Sequence, residues 1–181
     1  MPLIDIGKKA PAFTLPDQKG AKRSLKEWAG KAVVLFFYPK DDTSDCTKEA
    51  CAFDAGQAAL KRSSAVVVGI SILDARSKAK FADKHDLSLP LLADEEAKVA
   101  QKYGVWQEKS MYGRKYMGIV RTTYLIGPDG KVARRWDKVS VTDHAAEVLE
   151  AVKGLGSAAP KKAAAGASGK KKAVKKKAAK R

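Results

Sequence analysis

The chain has 181 residues, 45% of them hydrophobic and 31% charged, with a net charge of +16. That length accommodates one packed domain plus an appendage, and no stretch reaches the roughly 18 consecutive apolar residues that would mark a membrane span. Two cysteines are too few for a disulfide scaffold, so a close pair of them points to catalysis or metal binding.

The N-terminus, MPLIDIGKKAPAF, carries no basic segment followed by an apolar core and a small-residue cleavage site. It does not read as a secretion signal, and the expected address is the cytoplasm. Buried strands are predicted over Ala32–Tyr38, Ala65–Ile72 and Val120–Ile126, which are short, rich in β-branched and aromatic residues, and bounded by turn formers. GPDG at Gly127–Gly130 is a turn signal that joins the third run to Lys131–Trp136 as a hairpin, so the sheet should be mixed. Helical periodicity covers Thr47–Leu60, Ser77–Lys84, Glu95–Tyr103 and Asp143–Val152, with Ser140 or Thr142 capping the last and Gly104 and Gly154 at helix C-termini. This order predicts an α/β fold, a central mixed sheet flanked by helices on both faces, over residues 1–155.

Residues 156–181 form a Lys/Ala-rich basic tail with nine lysines, one arginine and no acidic residue. With no aromatic and almost nothing able to pack, this segment is expected to be disordered. Its +10 leaves +6 for the preceding domain. Such a tail is suited to non-specific, salt-dependent association with DNA or RNA backbones, which would place the protein at the nucleoid.

The chemistry concentrates in FFYPKDDTSDCTKEAC, Phe36–Cys51, which runs from a buried strand through a loop into a helix. Cys46 falls at the helix N-terminus, where unpaired N–H groups and the helix dipole favour a thiolate. Cys51 lies five residues on. In an intact helix those two Cα atoms are about 8–9 Å apart and the side chains point about 140° away from each other, whereas a disulfide needs Cα atoms within about 7 Å. Pairing of the two thiols therefore requires local unwinding of the helix.

The spacing of Pro39, Thr43 and Cys46 as PxxxTxxC resembles the active-site motif of peroxiredoxins. CTKEACAF, with its second cysteine five residues on, is similar to the bacterioferritin comigratory protein or peroxiredoxin Q subgroup. The likeness extends through APAFTLPDQKG, KYGVW at Lys102–Trp106 and YGRKYMGIVRTTYLIGPDGKV at Tyr112–Val132. The resemblance implies a thioredoxin-like fold with an added N-terminal β-hairpin, and an atypical two-cysteine thiol peroxidase acting on hydrogen peroxide and organic hydroperoxides. It implies Cys46 as the peroxidatic cysteine, passing through a sulfenic acid, and Cys51 as the resolving one. Thr43 would direct its hydroxyl at peroxide and thiolate, Pro39 would shield the site, Arg121 would supply positive charge and Glu49 would orient Arg121. It further implies recycling by thioredoxin or a similar dithiol, no metal, haem or flavin cofactor, and a monomer or weak dimer.

One departure stands out. The subgroup reads TPGC where this chain has Thr43, Ser44, Asp45 and Cys46, and Asp45 is expected to serve as the helix cap rather than to oppose the thiolate. Zinc is disfavoured, because the histidines, His85 and His144, fall in unrelated helical segments and read as surface or helix-end residues. There is no CxxC motif of a disulfide reductase. Trp28, Trp106, Trp136 and Tyr116 read as core or partial surface, and Lys40, Asp41 and Asp42 as a solvated loop. The competing reading is a nucleoid-associated DNA-binding protein whose cysteine pair senses oxidation.

Overall fold

The computed structural model describes residues 1–157; residues 158–181, and with them most of the tail discussed above, lie outside the described residues. The chain opens with the hairpin β1 (Thr14–Pro16) and β2 (Lys22–Ser24), antiparallel and separate from the central sheet. Its turn is closed by Asp17, whose Oδ1 accepts hydrogen bonds from the backbone N–H groups of Lys19 and Ala21. A short 3₁₀ turn, Leu25–Trp28, leads into β3 (Ala32–Phe37), followed by α1 (Ser44–Ala55), α2 (Gln57–Arg62) and β4 (Ala65–Ser71). Then come α3 (Ala75–His85), β5 (Leu91–Ala93), α4 (Lys98–Lys102), β6 (Trp106–Met111), β7 (Arg114–Ile119), β8 (Thr122–Ile126), β9 (Val132–Asp137) and α5 (His144–Ser157).

Five strands form the central sheet in the order β5-β4-β3-β8-β9. β3 runs parallel to β4, and β4 to β5, while β8 is antiparallel to both β3 and β9, so the sheet is mixed as the GPDG hairpin requires. Every residue of β3 is buried, and the period of two sends alternate side chains to opposite faces. Val33, Leu35 and Phe37 join Trp28, Val99, Ala100 and Tyr103 on one face. Val34, Phe36 and Tyr38 meet Cys46, Ala50 and Phe53 of α1, Phe81 of α3, and Val148 and Val152 of α5 on the other. Both faces are thus covered, which is why the strand reads as an unbroken apolar run.

Gly69 shows how tightly this sheet is filled. A Cβ there would lie 2.7 Å from the ring of Phe36, its partner on β3, and 2.9 Å from Leu91. No larger residue fits without displacing a core ring.

Several elements differ from the sequence expectation. The helix predicted through Leu60 breaks at Gly56 into α1 and α2. α5 begins after Asp143, which takes a positive φ of 61°, rather than after Ser140 or Thr142, and Gly154 lies inside it rather than at its end. α5 also continues past Leu155 to Ser157. The strand β5 and the hairpin β6–β7 were not anticipated. β6–β7 turns through Tyr112 and Gly113, with φ of 50° and 76°, and Tyr in that conformation is not a recognisable turn signal. Among the described residues no helix is long and apolar enough to cross a membrane.

Candidate active site

The site assembles where β3 ends. Residues 38–43 lead from the strand to α1, with Pro39 half-buried and Lys40, Asp42 and Thr43 exposed. Thr43 occupies the N-cap position with extended backbone, but its Oγ1 donates to the carbonyl of Lys40 at 3.1 Å instead of capping. The first-turn N–H groups of α1 therefore have no side-chain cap, and Cys46 sits within that turn. Asp45 is corrected accordingly. It is an exposed first-turn residue whose carboxylate suits the helix dipole, not the cap.

Cys46 is only 1% exposed. Its Sγ accepts a hydrogen bond from Arg121 Nη2 at 3.1 Å, and Nη1 of the same guanidinium donates to Glu49 Oε2 in a salt bridge. Arg121 lies between β7 and β8, so the parallel and antiparallel halves of the sheet both contribute. Glu49, three residues after Cys46, is on the same side of α1 because i and i+3 face the same way on a helix. Its Oε1 has no partner and is buried. Burial pushes Glu49 up to about 7, against the opposing attraction of Arg121. The five-residue spacing puts Cys51 on the same intact helix as Cys46, and both thiols are free. Cys51 is half-buried, and burial together with the nearby Asp54 raises its pKa, which keeps it a thiol.

Sequence reasoning missed the anchor beneath the loop. Asp41, expected to be solvated, is 7% exposed and is held by the fully buried Lys78 of α3, whose Nζ donates to both carboxylate oxygens at 3.0 Å. Ser77 Oγ donates to Asp41 Oδ2 at 2.7 Å, Tyr38 Oη donates to Oδ1 at 2.6 Å, and Ser71 completes the cluster. An ion pair buried this far is retained only if its remaining lone pairs are satisfied, and here they are. Asp42, next in the chain at a positive φ of 59°, is tied to the other end of α3 by Lys84 at 2.7 Å and His85 at 2.8 Å. The only sequence sign of this clamp was a charged pair beside the motif.

His144 is also corrected. It heads α5, yet it is 3% exposed, shares a 2.8 Å hydrogen bond with Thr123 Oγ1, and packs edge-on against Phe53 and Trp136. Burial, aided by Arg121, holds its pKa down at about 4, so it is neutral near pH 7. Trp28 is core, Trp106 and Trp136 are half-buried, and Tyr116 is exposed. Trp136 lines an open cavity of about 370 Å³ with Lys138, Ser140, Thr142 and His144. No group of three or more His, Cys, Asp and Glu side chains among the described residues is placed to hold a metal ion.

Residues 6–135 match the AhpC/TSA family. The chain is 41% identical over 152 residues to the peroxiredoxin Bcp of Bacillus subtilis, covering 84% of this chain and 97% of that one. It is 39% identical over 150 residues to the peroxiredoxin Bcp of Escherichia coli, covering 83% and 96%. Among solved structures, the Xanthomonas campestris bacterioferritin comigratory protein superposes with a TM-score of 0.79 at 33% identity, over 84% of this chain and 99% of that one. A peroxiredoxin Q of Xylella fastidiosa gives 0.80 at 30% identity, over 83% and 96%. With a free, arginine-bonded cysteine at the mouth of a helix on a thioredoxin-like sheet, the chain belongs to the AhpC/TSA family and is a thiol peroxidase of its bacterioferritin comigratory protein, or peroxiredoxin Q, branch.

Proposed function

We propose that the chain reduces hydrogen peroxide and organic hydroperoxides through a Cys46 sulfenic acid and a Cys46–Cys51 disulfide, and is recycled by thioredoxin or a similar dithiol. The observation that carries this reading is the 3.1 Å hydrogen bond from Arg121 to Cys46 Sγ at an uncapped helix N-terminus. Cys46 attacks the near oxygen of the peroxide as a thiolate. The O–O bond breaks, the sulfur becomes a sulfenic acid, and the departing oxygen takes a proton to leave as water or an alcohol. The guanidinium and the first-turn N–H groups face the charge that develops on oxygen, and the Thr43 hydroxyl can turn from Lys40 toward the substrate. Pro39 limits water at the mouth, and Glu49 fixes Arg121.

Resolution follows unwinding. Cys51 then leaves the neighbourhood of Asp54, ionises more readily, and attacks Cys46 Sγ, expelling the sulfenic oxygen as water. Two electrons return from a dithiol donor, and the cycle uses no metal, haem or flavin. The alkyl peroxide reduction described for the Xanthomonas relative supports including organic hydroperoxides. The protein acts as a monomer or weak dimer in the cytoplasm.

The test is peroxide consumption with a thioredoxin system. The native chain turns over, Cys46→Ser is inactive, and Cys51→Ser reacts once and stalls. Turnover retained by Cys46→Ser overturns the assignment.

A second reading concerns the tail from 156 to 181, whose ten positive charges suit non-specific DNA or RNA binding and a nucleoid location. Deleting it should abolish low-salt DNA affinity, and unchanged affinity ends the idea. The rival role, a nucleoid-associated protein with a redox-sensing cysteine pair, would oxidise one equivalent of peroxide and stop.

A further inference from the structure

Four of the six large hydrophobic side chains exposed among the described residues fall on one element, the β6–β7 ribbon. Met111 is 57% exposed, Tyr112 98%, Tyr116 41% and Met117 49%. The ribbon is a two-stranded sheet of its own, rooted in the core by the buried Ile119 and the half-buried Trp106, with its tip in solvent. Cross-strand register places Lys109 opposite Tyr116 and Met111 opposite Arg114, so one face carries two basic groups interleaved with an aromatic ring and a thioether. Tyr112, at the turn, extends that face. The ribbon ends at Ile119, two residues before the Arg121 that donates to Cys46 Sγ, and Lys109 Nζ donates to the Ile119 carbonyl at 3.0 Å, so the base of the ribbon leads into the site.

We propose that this face of the β6–β7 ribbon, Lys109, Met111, Tyr112, Arg114 and Tyr116, is the docking surface for the acidic-faced dithiol protein that reduces the oxidised enzyme.

Tyr, Met and Arg together form the composition enriched in the cores of protein–protein interfaces, more than that of a nucleic-acid groove, which has little use for methionine. The ribbon holds three basic residues and one acidic residue, so its complement is an acidic surface. A second copy fits poorly, because the chain is itself strongly basic at +16. Position narrows the partner to one with business at the cysteine pair. The inference rests on the peroxidase cycle proposed above, in which each turnover needs two electrons from a dithiol. A donor thiolate attacks one sulfur of the Cys46–Cys51 disulfide and the other leaves as thiolate. The donor's second thiol then breaks the mixed disulfide, leaving the donor oxidised and both enzyme cysteines reduced, with the donor's two protons transferred to them.

The experiment compares native chain with Met111→Ser/Tyr112→Asn/Tyr116→Ser and with Arg114→Glu, each supplied with dithiothreitol or with thioredoxin and glutaredoxin systems. Native and variant chains should match within about twofold on dithiothreitol, which needs no docking. On the protein donor that supports the native chain, both variants should raise the donor KM tenfold or more, the charge reversal chiefly at low salt. Unchanged donor KM overturns the docking surface, as does a native chain active on dithiothreitol but on neither protein donor. A triple variant whose only change is lost self-association in sedimentation, or lost oligonucleotide binding, also overturns it by reassigning the face. Absence of turnover by the native chain on dithiothreitol would instead defeat the peroxidase cycle itself.

Discussion

The Asp41–Lys78 pair and the Glu49–Arg121 pair both lie against the segment that carries Cys46, and both are largely withdrawn from water. Around the first, two serines and a tyrosine satisfy the carboxylate, and burial lowers the Lys78 pKa against the opposing attraction of Asp41. In the second, one carboxylate oxygen is left without a partner, the acid is raised to about 7, and the guanidinium divides its donors between Glu49 and a thiol. A saturated pair fixes geometry, whereas an incompletely satisfied one leaves donor capacity for a reacting atom. Loop residues 38–43 are thus held from α3, and the first turn of α1 has no side-chain cap.

The largest effect is expected at Lys78. Lys78→Met strands the Asp41 carboxylate and should lower the unfolding free energy by about 3–5 kcal/mol, while Asp41→Asn/Lys78→Met recovers at least half of that. Urea denaturation reads both, and a single variant as stable as the native chain would mean that the network does not hold the loop. Next comes Arg121→Met, which removes the hydrogen-bond donor from Cys46 Sγ and should cost about 10²–10³ in kcat/KM for peroxide. Steady-state kinetics decide it, and a loss below tenfold would make Arg121 structural only.

Glu49 sharpens the contrast through pH. Its folded pKa of about 7 exceeds the unfolded value of 4.5, so the native chain keeps a proton that the unfolded chain releases. Stability therefore falls as pH rises from 4.5 through about 7, by on the order of 3 kcal/mol, and Glu49→Gln should lose that decline. His144 has the opposite sign. Its pKa is lowered from 6.5 to about 4, so its contribution is present above 6.5 and is lost as pH falls through 4. Glu49→Gln should expose that acid limb, with thermal denaturation as the readout. The smallest effect belongs to Asp42→Asn, which tolerates the positive φ while removing the charge; its partners, exposed Lys84 and half-buried His85, are screened by solvent, and the denaturation midpoint should barely move.

The central strands and the β8–β9 hairpin were legible because buried strands must be apolar and GPDG has few other uses. Cys46, Cys51, Thr43 and Pro39 were legible because they share one continuous motif. Arg121 and Glu49 entered only through resemblance, since 72 residues separate them and no local pattern encodes a contact across a sheet. The β6–β7 hairpin escaped because its strands mix polar and apolar residues and its turn uses Tyr112 at positive φ.

The inner strands of the sheet and the placement of both cysteines on one helix follow from the sequence alone, because strand burial and helical spacing are short-range properties. Tertiary structure alone decided that Asp41 is buried on Lys78, that His144 is neutral beneath Phe53 and Trp136, and that Glu49 keeps an unpaired oxygen. Each depends on desolvation by residues distant in the chain, and the free energy of a charge is set by what surrounds it rather than by its neighbours in sequence.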